Sequence, residues 1–306
     1  MRTPLSRRDL LRQAAASVAA LLLPAPLAGA GLRLPVGPDH ARLAAWTAAL
    51  RAEGLTRHET PLGVGATRVG ELAAGTPYVP ATLDAYLQAR GSPQGIEPLT
   101  LSLTRFDCVT LVESCLAVAR VAGDAGTPSW KRFGRAIERM RYRDGKRGGY
   151  ASRLHYFSEW IADGERRGLV QDRGAELGGG EDARPLRFMT GHRGSYPALA
   201  DDGVFREIGA IERRLDGQAR RVIPTKRIPE VVDRIETGDV LAFATEIPGL
   251  DVTHAAFAYR DAEGTLRVLH APLSGGVVAV TRVTLPEYVA AIRRATGILV
   301  ARPLRG

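Results

Sequence analysis

The sequence predicts an α+β fold. Apolar residues recur at helical spacing in the first half, as in Leu43, Trp46, Ala49 and Leu50 or Val109, Val112, Leu116 and Ala119. The last 70 residues instead carry short β-prone runs separated by turn residues. Helices first and antiparallel strands last form an α+β layout rather than an alternating α/β one.

Taken in order, residues 39–53 read as a helix, and residues 61–80 as a segment rich in Gly and Pro. Gly63 and Gly65 begin a G-x-G pattern, but Arg68 stands where the third glycine of a dinucleotide loop would be, which rejects that motif. Gly75-Thr76-Pro77-Tyr78 reads as a turn and residues 81–89 as a short helix. A strong helix is expected from Asp107 to about Ala122, with Asp107 as N-cap, and another over roughly 128–141. Residues 142–236 are mixed, with Gly-rich stretches and one helix between Tyr156 and Gly168. They read as loops decorating a single domain over 31–306. After the Gly238-Asp239 turn come strands Val240–Thr245, Ala255–Tyr259, Leu266–His270, Gly276–Val283 and Ile298–Pro303. A helix, Pro286–Arg294, interrupts them, with Pro at a first-turn position that tolerates it.

The chain has 306 residues and a formal net charge of +9. Residues 1–30 hold four Arg and one Asp, a surplus of +3, so loss of that segment leaves +6. The balance is Arg-dominated, with only Lys131, Lys146 and Lys226 as lysines. A basic surface suits an anionic polymer, but no basic-aromatic stripe points to nucleic acid. Ser6-Arg7-Arg8-Asp9-Leu10-Leu11 is a twin-arginine pattern. An apolar stretch from Ala14 to Leu23 follows, then small residues ending at Ala28-Gly29-Ala30. This is the layout of a signal peptide, with a mature start near residue 31 and a periplasmic or wall-associated destination. The run is too short and too Pro-broken to span a membrane.

Export favours disulfides, yet the chain has two cysteines only, Cys108 and Cys115, seven positions apart in one expected helix. That spacing is about 10.5 Å of helix axis, too far for a bridge between them. Cys108 falls in the first turn behind the Asp107 cap, where backbone N–H groups and the helix dipole favour an anionic sulfur. Cys115 lies two turns in and reads as a small buried hydrophobe.

A thiolate nucleophile needs a proton carrier. His40, His58, His155 and His192 read as surface or structural histidines. His254 opens one strand and His270 ends the next. A three-residue hairpin loop, Ala262–Gly264, with Gly264 in the left-handed position, pairs Asp261 with Thr265. Counting back sets His270 opposite Ala256, and His254 and His270 then share a face within reach of each other. The resulting arrangement is a triad: Cys108 attacks, His254 carries the proton, and His270 orients His254. It needs no cofactor. A metal held by Cys108, His254 and His270 is the second reading of these residues, although no metal-ligand spacing such as HxxxH or CxxC occurs. Glu113 reads as a helix charge satisfied by a neighbour, Asp251 as a turn residue, and Ser195 lacks the serine-hydrolase elbow.

Phe106-Asp107-Cys108, Gly238-Asp239-Val240, His254 opening a strand and His270 ending the next resemble the NlpC/p60 papain-like cysteine peptidases. Gly75-Thr76-Pro77-Tyr78 resembles the GxPY segment of that superfamily. The runs Gly75–Val79, Phe106–Glu113, Tyr156–Ile161, Gly249–His254, His270–Pro272 and Gly297–Pro303 resemble the family called domain of unknown function 1460. The resemblance implies a papain-like NlpC/p60 fold, with the catalytic helix packed on an antiparallel sheet, and N-acetylmuramoyl-L-alanine amidase activity. It also implies catalytic roles for Cys108, His254 and His270, a place near the oxyanion for Tyr78, and a substrate-facing position for Asp107. Pro80-Ala81 departs from the small residue and Gly usual after that tyrosine. The partner implied is peptidoglycan or its fragments. The other readings are an endopeptidase cutting the γ-D-glutamyl–diaminopimelate bond, a non-catalytic binder of wall fragments, and an acyl transferase on lipids, which suits permuted relatives better.

Overall fold

A computed structural model describes residues 37–273 and 276–305. The leader expected over residues 1–30 lies outside the described residues. The first helices are α1 Pro38–Ala52, α2 Leu62–Leu72, α3 Ala85–Gln88, α4 Cys108–Gly123, α5 Trp130–Arg141 and α6 Phe157–Arg166. Strands β1 Val170–Asp172 and β2 Gly180–Asp182 precede α7 Phe188–Gly191, α8 Asp202–Leu215 and β3 Arg220–Pro224. The chain then runs through β4 Val240–Thr245, β5 Val252–Arg260, β6 Leu266–His270, β7 Ala279–Val280, α9 Leu285–Ala291 and β8 Ala295–Pro303.

The strands form one antiparallel sheet in the order β2-β3-β8-β4-β5-β6-β7, with β1 also paired to β8. Every residue of β4 is buried, because the central strand is covered on both faces. Leu111, Val112, Cys115 and Leu116 of α4 pack with Val240, Ala242, Ala255 and Phe257 on one face. Leu285 and Val289 of α9 pack with Leu241, Phe243, Ala256 and Val268 on the other. The alternation along β4, β5 and β8 thus feeds two cores, as a two-sided sheet requires.

Two expectations need correction, and the Gly- and Pro-rich segment 61–80 holds a helix that its composition did not announce, α2 over Leu62–Leu72. Its glycines are packing residues: a Cβ on Gly63 would lie 2.7 Å from the Gly238 carbonyl oxygen, and one on Gly70 would lie 2.5 Å from a Leu269 methyl. Residues 142–236 are more than loops. Tyr150, Tyr156, Leu186, Met189, Leu199, Val204, Ile208, Ile211 and Leu215 form a third apolar cluster around α8. The strand expected over Gly276–Val283 shrinks to β7, because Gly276 takes φ +70° and residues 276–278 pair elsewhere, as described below.

Candidate functional site

Cys108 is the first residue of α4. The Asp107 carboxylate accepts the Thr110 N–H at 2.7 Å, and the Thr110 hydroxyl accepts the Asp107 N–H at 2.8 Å, which is a closed capping box. A cap of this kind stabilises a helix by about 1 kcal/mol and fixes where its first turn begins. Upstream, Asp39 of α1 accepts the Leu103 N–H at 2.6 Å and so holds the lead-in to that turn.

The Gly75–Val79 segment ties this lead-in to the chain that follows His270. Tyr78 forms a parallel bridge with Phe106, and Val79 N–H donates to Phe106 O at 2.8 Å. On its other side Tyr78 N–H donates to Gly276 O at 2.6 Å and Val278 N–H donates to Thr76 O at 2.8 Å. Tyr78 itself packs half-buried against the main core.

The two histidines come together as the hairpin count requires. Asp261 and Thr265 close the loop by an N–H···O bond of 3.0 Å, and Gly264 takes φ +83°. Phe257 then faces Leu269 and Arg260 faces Leu266. A bulge at Thr253 sets Phe243 against His254 but Ala244 against Val252. Val252 therefore joins the α4-side core, while the His254 ring stacks on Phe243 at 5.6 Å between centroids. A bulge re-aims a side chain in this way without breaking the strand. His254 Nε2 lies 2.9 Å from His270 Nδ1, and the two rings meet edge to face. Burial, and then the charge of His270, pull His254 down to about 3; burial pulls His270 down to about 4. Both are therefore neutral at neutral pH, as buried imidazoles without a carboxylate partner should be.

The other cysteine is inert. Cys115 is fully buried and burial pushes its thiol upward, away from ionisation. Neither cysteine forms a disulfide among the described residues, in keeping with their spacing. Glu113 is buried at 2.8 Å from Arg141, the satisfied helix charge expected of it. Asp251 is buried and accepts the Ser158 N–H of α6 at 2.8 Å, which anchors the turn before His254. His40, His155 and His192 pack against Trp130, Tyr150 and Phe188, and His58 is exposed. A metal reading needs three converging donors; among the described residues no three His, Cys, Asp or Glu side chains form such a set.

Residues 68–298 match the AmiA-like family, described as N-acetylmuramoyl-L-alanine amidase-like. The chain belongs to the AmiA-like family. No curated protein matches it. A crystal structure of an N-acetylmuramoyl-L-alanine amidase from Bacteroides uniformis is 32% identical, with a TM-score of 0.71, and covers 79% of this chain and 98% of its own. A Bacteroides fragilis structure carrying a provisional xylanase name is also 32% identical, with a TM-score of 0.69, over 76% of this chain and 99% of its own. A Legionella pneumophila protein of the DUF1460 family shares the fold at 18% identity and a TM-score of 0.61, over 86% of this chain and 94% of its own.

One residue of this AmiA-like site was not legible in the sequence. Tyr288 of α9 places its hydroxyl 3.2 Å from His270 Nδ1 and sets its ring edge-on to both His270 and Phe243. Burial, and then the charge of Cys108, push its phenol up to about 12. Tyr288 is thus a neutral hydroxyl that touches His270 of the imidazole pair and feels Cys108. A lone Tyr in a short helix carries no motif; only its Leu285/Val289 flanks announce a buried helix face. Three residues beyond Tyr78, Ala81 takes φ +55°, a left-handed conformation that Gly adopts at no steric cost. Among the described residues no helix is long and apolar enough to cross a membrane.

Proposed function

We propose that this AmiA-like protein is a cysteine amidase of the NlpC/p60 papain-like kind. It hydrolyses the amide between the lactyl group of N-acetylmuramic acid and L-alanine in peptidoglycan or its fragments. The observation that carries this reading is the hydrogen-bonded pair of neutral imidazoles, His254 and His270, beside a phenol that feels the charge of Cys108 at a capped helix start.

With its proton on Nε2, His254 donates to His270 Nδ1 and keeps Nδ1 bare as a base. Cys108 passes its proton to that nitrogen, and the sulfur attacks the lactyl carbonyl. The Cys108 backbone N–H, with Tyr78 beside it, steadies the oxyanion; one such donor is typically worth about 3 kcal/mol. His254 returns the proton to the departing alanine amine, leaving a muramoyl thioester on Cys108. Water, deprotonated by His254, then releases a muramoyl carboxylate and the free thiol. His270 holds the His254 ring in orientation and receives its Nε2–H throughout. Asp107 faces substrate from its cap position.

The similarity to a named N-acetylmuramoyl-L-alanine amidase at 32% identity favours this bond over the γ-D-glutamyl–diaminopimelate bond. Digestion of a purified disaccharide-tetrapeptide, followed by mass analysis, tests the choice. The amidase frees disaccharide and intact peptide; a product retaining L-Ala-D-Glu on the sugar contradicts it while leaving the cysteine mechanism standing. An intact substrate would point to the non-catalytic binder. We further propose export through the twin-arginine segment at Ser6–Leu11. N-terminal sequencing of the periplasmic form should start near residue 31, and a cytoplasmic product retaining residues 1–30 would contradict export.

A further inference from the structure

We propose that the cleft at the far end of α4 is a binding site for a phosphate-bearing ligand. The cleft has a volume of about 510 Å³, within the usual range for small-molecule sites. Residue 123 lies fifteen positions beyond Cys108 on one helix, roughly 22 Å along the axis, so the cleft is separate from the imidazole site.

Its lining holds five guanidinium groups, Arg120, Arg132, Arg135, Arg139 and Arg305, against a single carboxylate, Asp124, which lies 3.8 Å from Arg132. Arg120 is nine-tenths buried and donates to Leu169 O at 3.0 Å and Leu304 O at 2.9 Å. It has no carboxylate partner, and its Nε has no partner at all among the described residues. Burial, then the like charges of Arg139 and Arg167, pull it down to about 10, so this cation is held against its own preference. Arg135 and Arg139 are exposed, and neither forms an ion pair among the described residues. Three arginines buried or half-buried elsewhere do have carboxylates: Arg141 has Glu113, Arg143 has Glu159 and Arg302 has Asp239.

The C-terminal end of α4 favours one nearby cation, which accounts for Arg120 but not for four more. Guanidinium forks match phosphate oxygens bidentately, and a ligand with two or more negative oxygens would relieve the repulsion among them. Leu62, Ala136 and Leu169 in the same lining leave room for an apolar portion. A phospholipid headgroup and a soluble organic phosphate share this chemistry.

Calorimetric titration of the full chain with inorganic pyrophosphate at low salt tests the proposal. Wild type should show saturable binding that weakens as salt rises. The R135A/R139A double variant, altered only at exposed positions, should bind at least about tenfold more weakly, as loss of two charge-assisted contacts implies. Its thermal melt serves as the check on folding. Co-sedimentation with phosphatidylglycerol vesicles separates the sources. Capture lost in the double variant assigns a headgroup, and pyrophosphate binding without capture assigns a soluble phosphate. No saturable pyrophosphate binding by wild type, or an affinity within about twofold in the folded double variant, overturns the site.

Discussion

Cys108 and Cys115 are the same residue on the same helix, two turns apart, in opposite chemical settings. Cys115 is sealed in the core, where burial alone holds it as a thiol. Cys108 stands half-buried at the helix start, with the backbone dipole behind it and a phenol that feels its charge. Residue type therefore decides little about thiol chemistry; position along the helix and the neighbouring polar groups decide it.

The comparison breaks first under alanine. Cys108→Ala should abolish turnover of a disaccharide-tetrapeptide by at least about 10³-fold. Cys115→Ala should leave kcat/KM unchanged and lower stability by roughly 1 kcal/mol for the small void it leaves. Iodoacetamide should inactivate wild type and the Cys115 variant alike; inactivation that disappears with Cys115 would reverse the assignment.

Tyr288→Phe sharpens the contrast, because only Cys108 has this neighbour. Removing the hydroxyl leaves the ring packing on Phe243 and His270 but deletes one polar contact to His270 Nδ1. A fall of about fivefold to tenfold in kcat/KM is expected, together with a shifted acid limb of the pH–rate profile. A purely packing role would leave that limb where it is in wild type.

Acid bears next on the imidazole pair assigned to Cys108, which has no counterpart at Cys115. His254 and His270 sit below their ordinary value in the folded chain, so between pH about 6.5 and about 4 the unfolded chain binds more protons than the folded one. The stability these groups contribute is complete above pH about 6.5 and is lost as pH falls towards 4. Denaturation midpoints at pH 7 and 4.5 check it, with His270→Gln predicted to flatten the slope. An unchanged slope in that variant would mean that the acid loss arises elsewhere.

The smallest expected effect concerns backbone strain just beyond Tyr78, for which Cys115's regular helix interior has no counterpart. Ala81 takes a left-handed conformation, so Ala81→Gly should relieve strain worth about 1 kcal/mol, offset in part by the greater freedom of Gly in the unfolded chain. A melt that drops by several degrees would show that the Ala81 methyl makes a contact worth more than the strain.

What the sequence made legible was local. The Cys108 helix start follows from the Asp107 cap, and the meeting of His254 and His270 follows from counting through Gly264. Both need only short-range geometry, and Val240–Thr245 and Leu266–His270 match their expected limits for the same reason. The parts that were missed depend on distant partners. The glycines of α2 look like loop residues until Gly238 and Leu269 are brought against them. α8 carries Val204, Ile208, Ile211 and Leu215 at helical spacing behind an Asp201 cap, but its arginines and the surrounding glycines mask the stripe. Tyr288 is recognisable only once α9 is laid across the end of β6.

The central claim, that Cys108 carries the muramoyl group, is tested most directly by acid-quenching the enzyme during turnover of a disaccharide-tetrapeptide. Peptide mass mapping then locates any covalent adduct. A thioester of the disaccharide lactyl group on the Cys108 peptide, absent from Cys108→Ala, is the result predicted. An adduct carrying L-Ala-D-Glu, or full turnover by Cys108→Ala with no adduct at all, would contradict it.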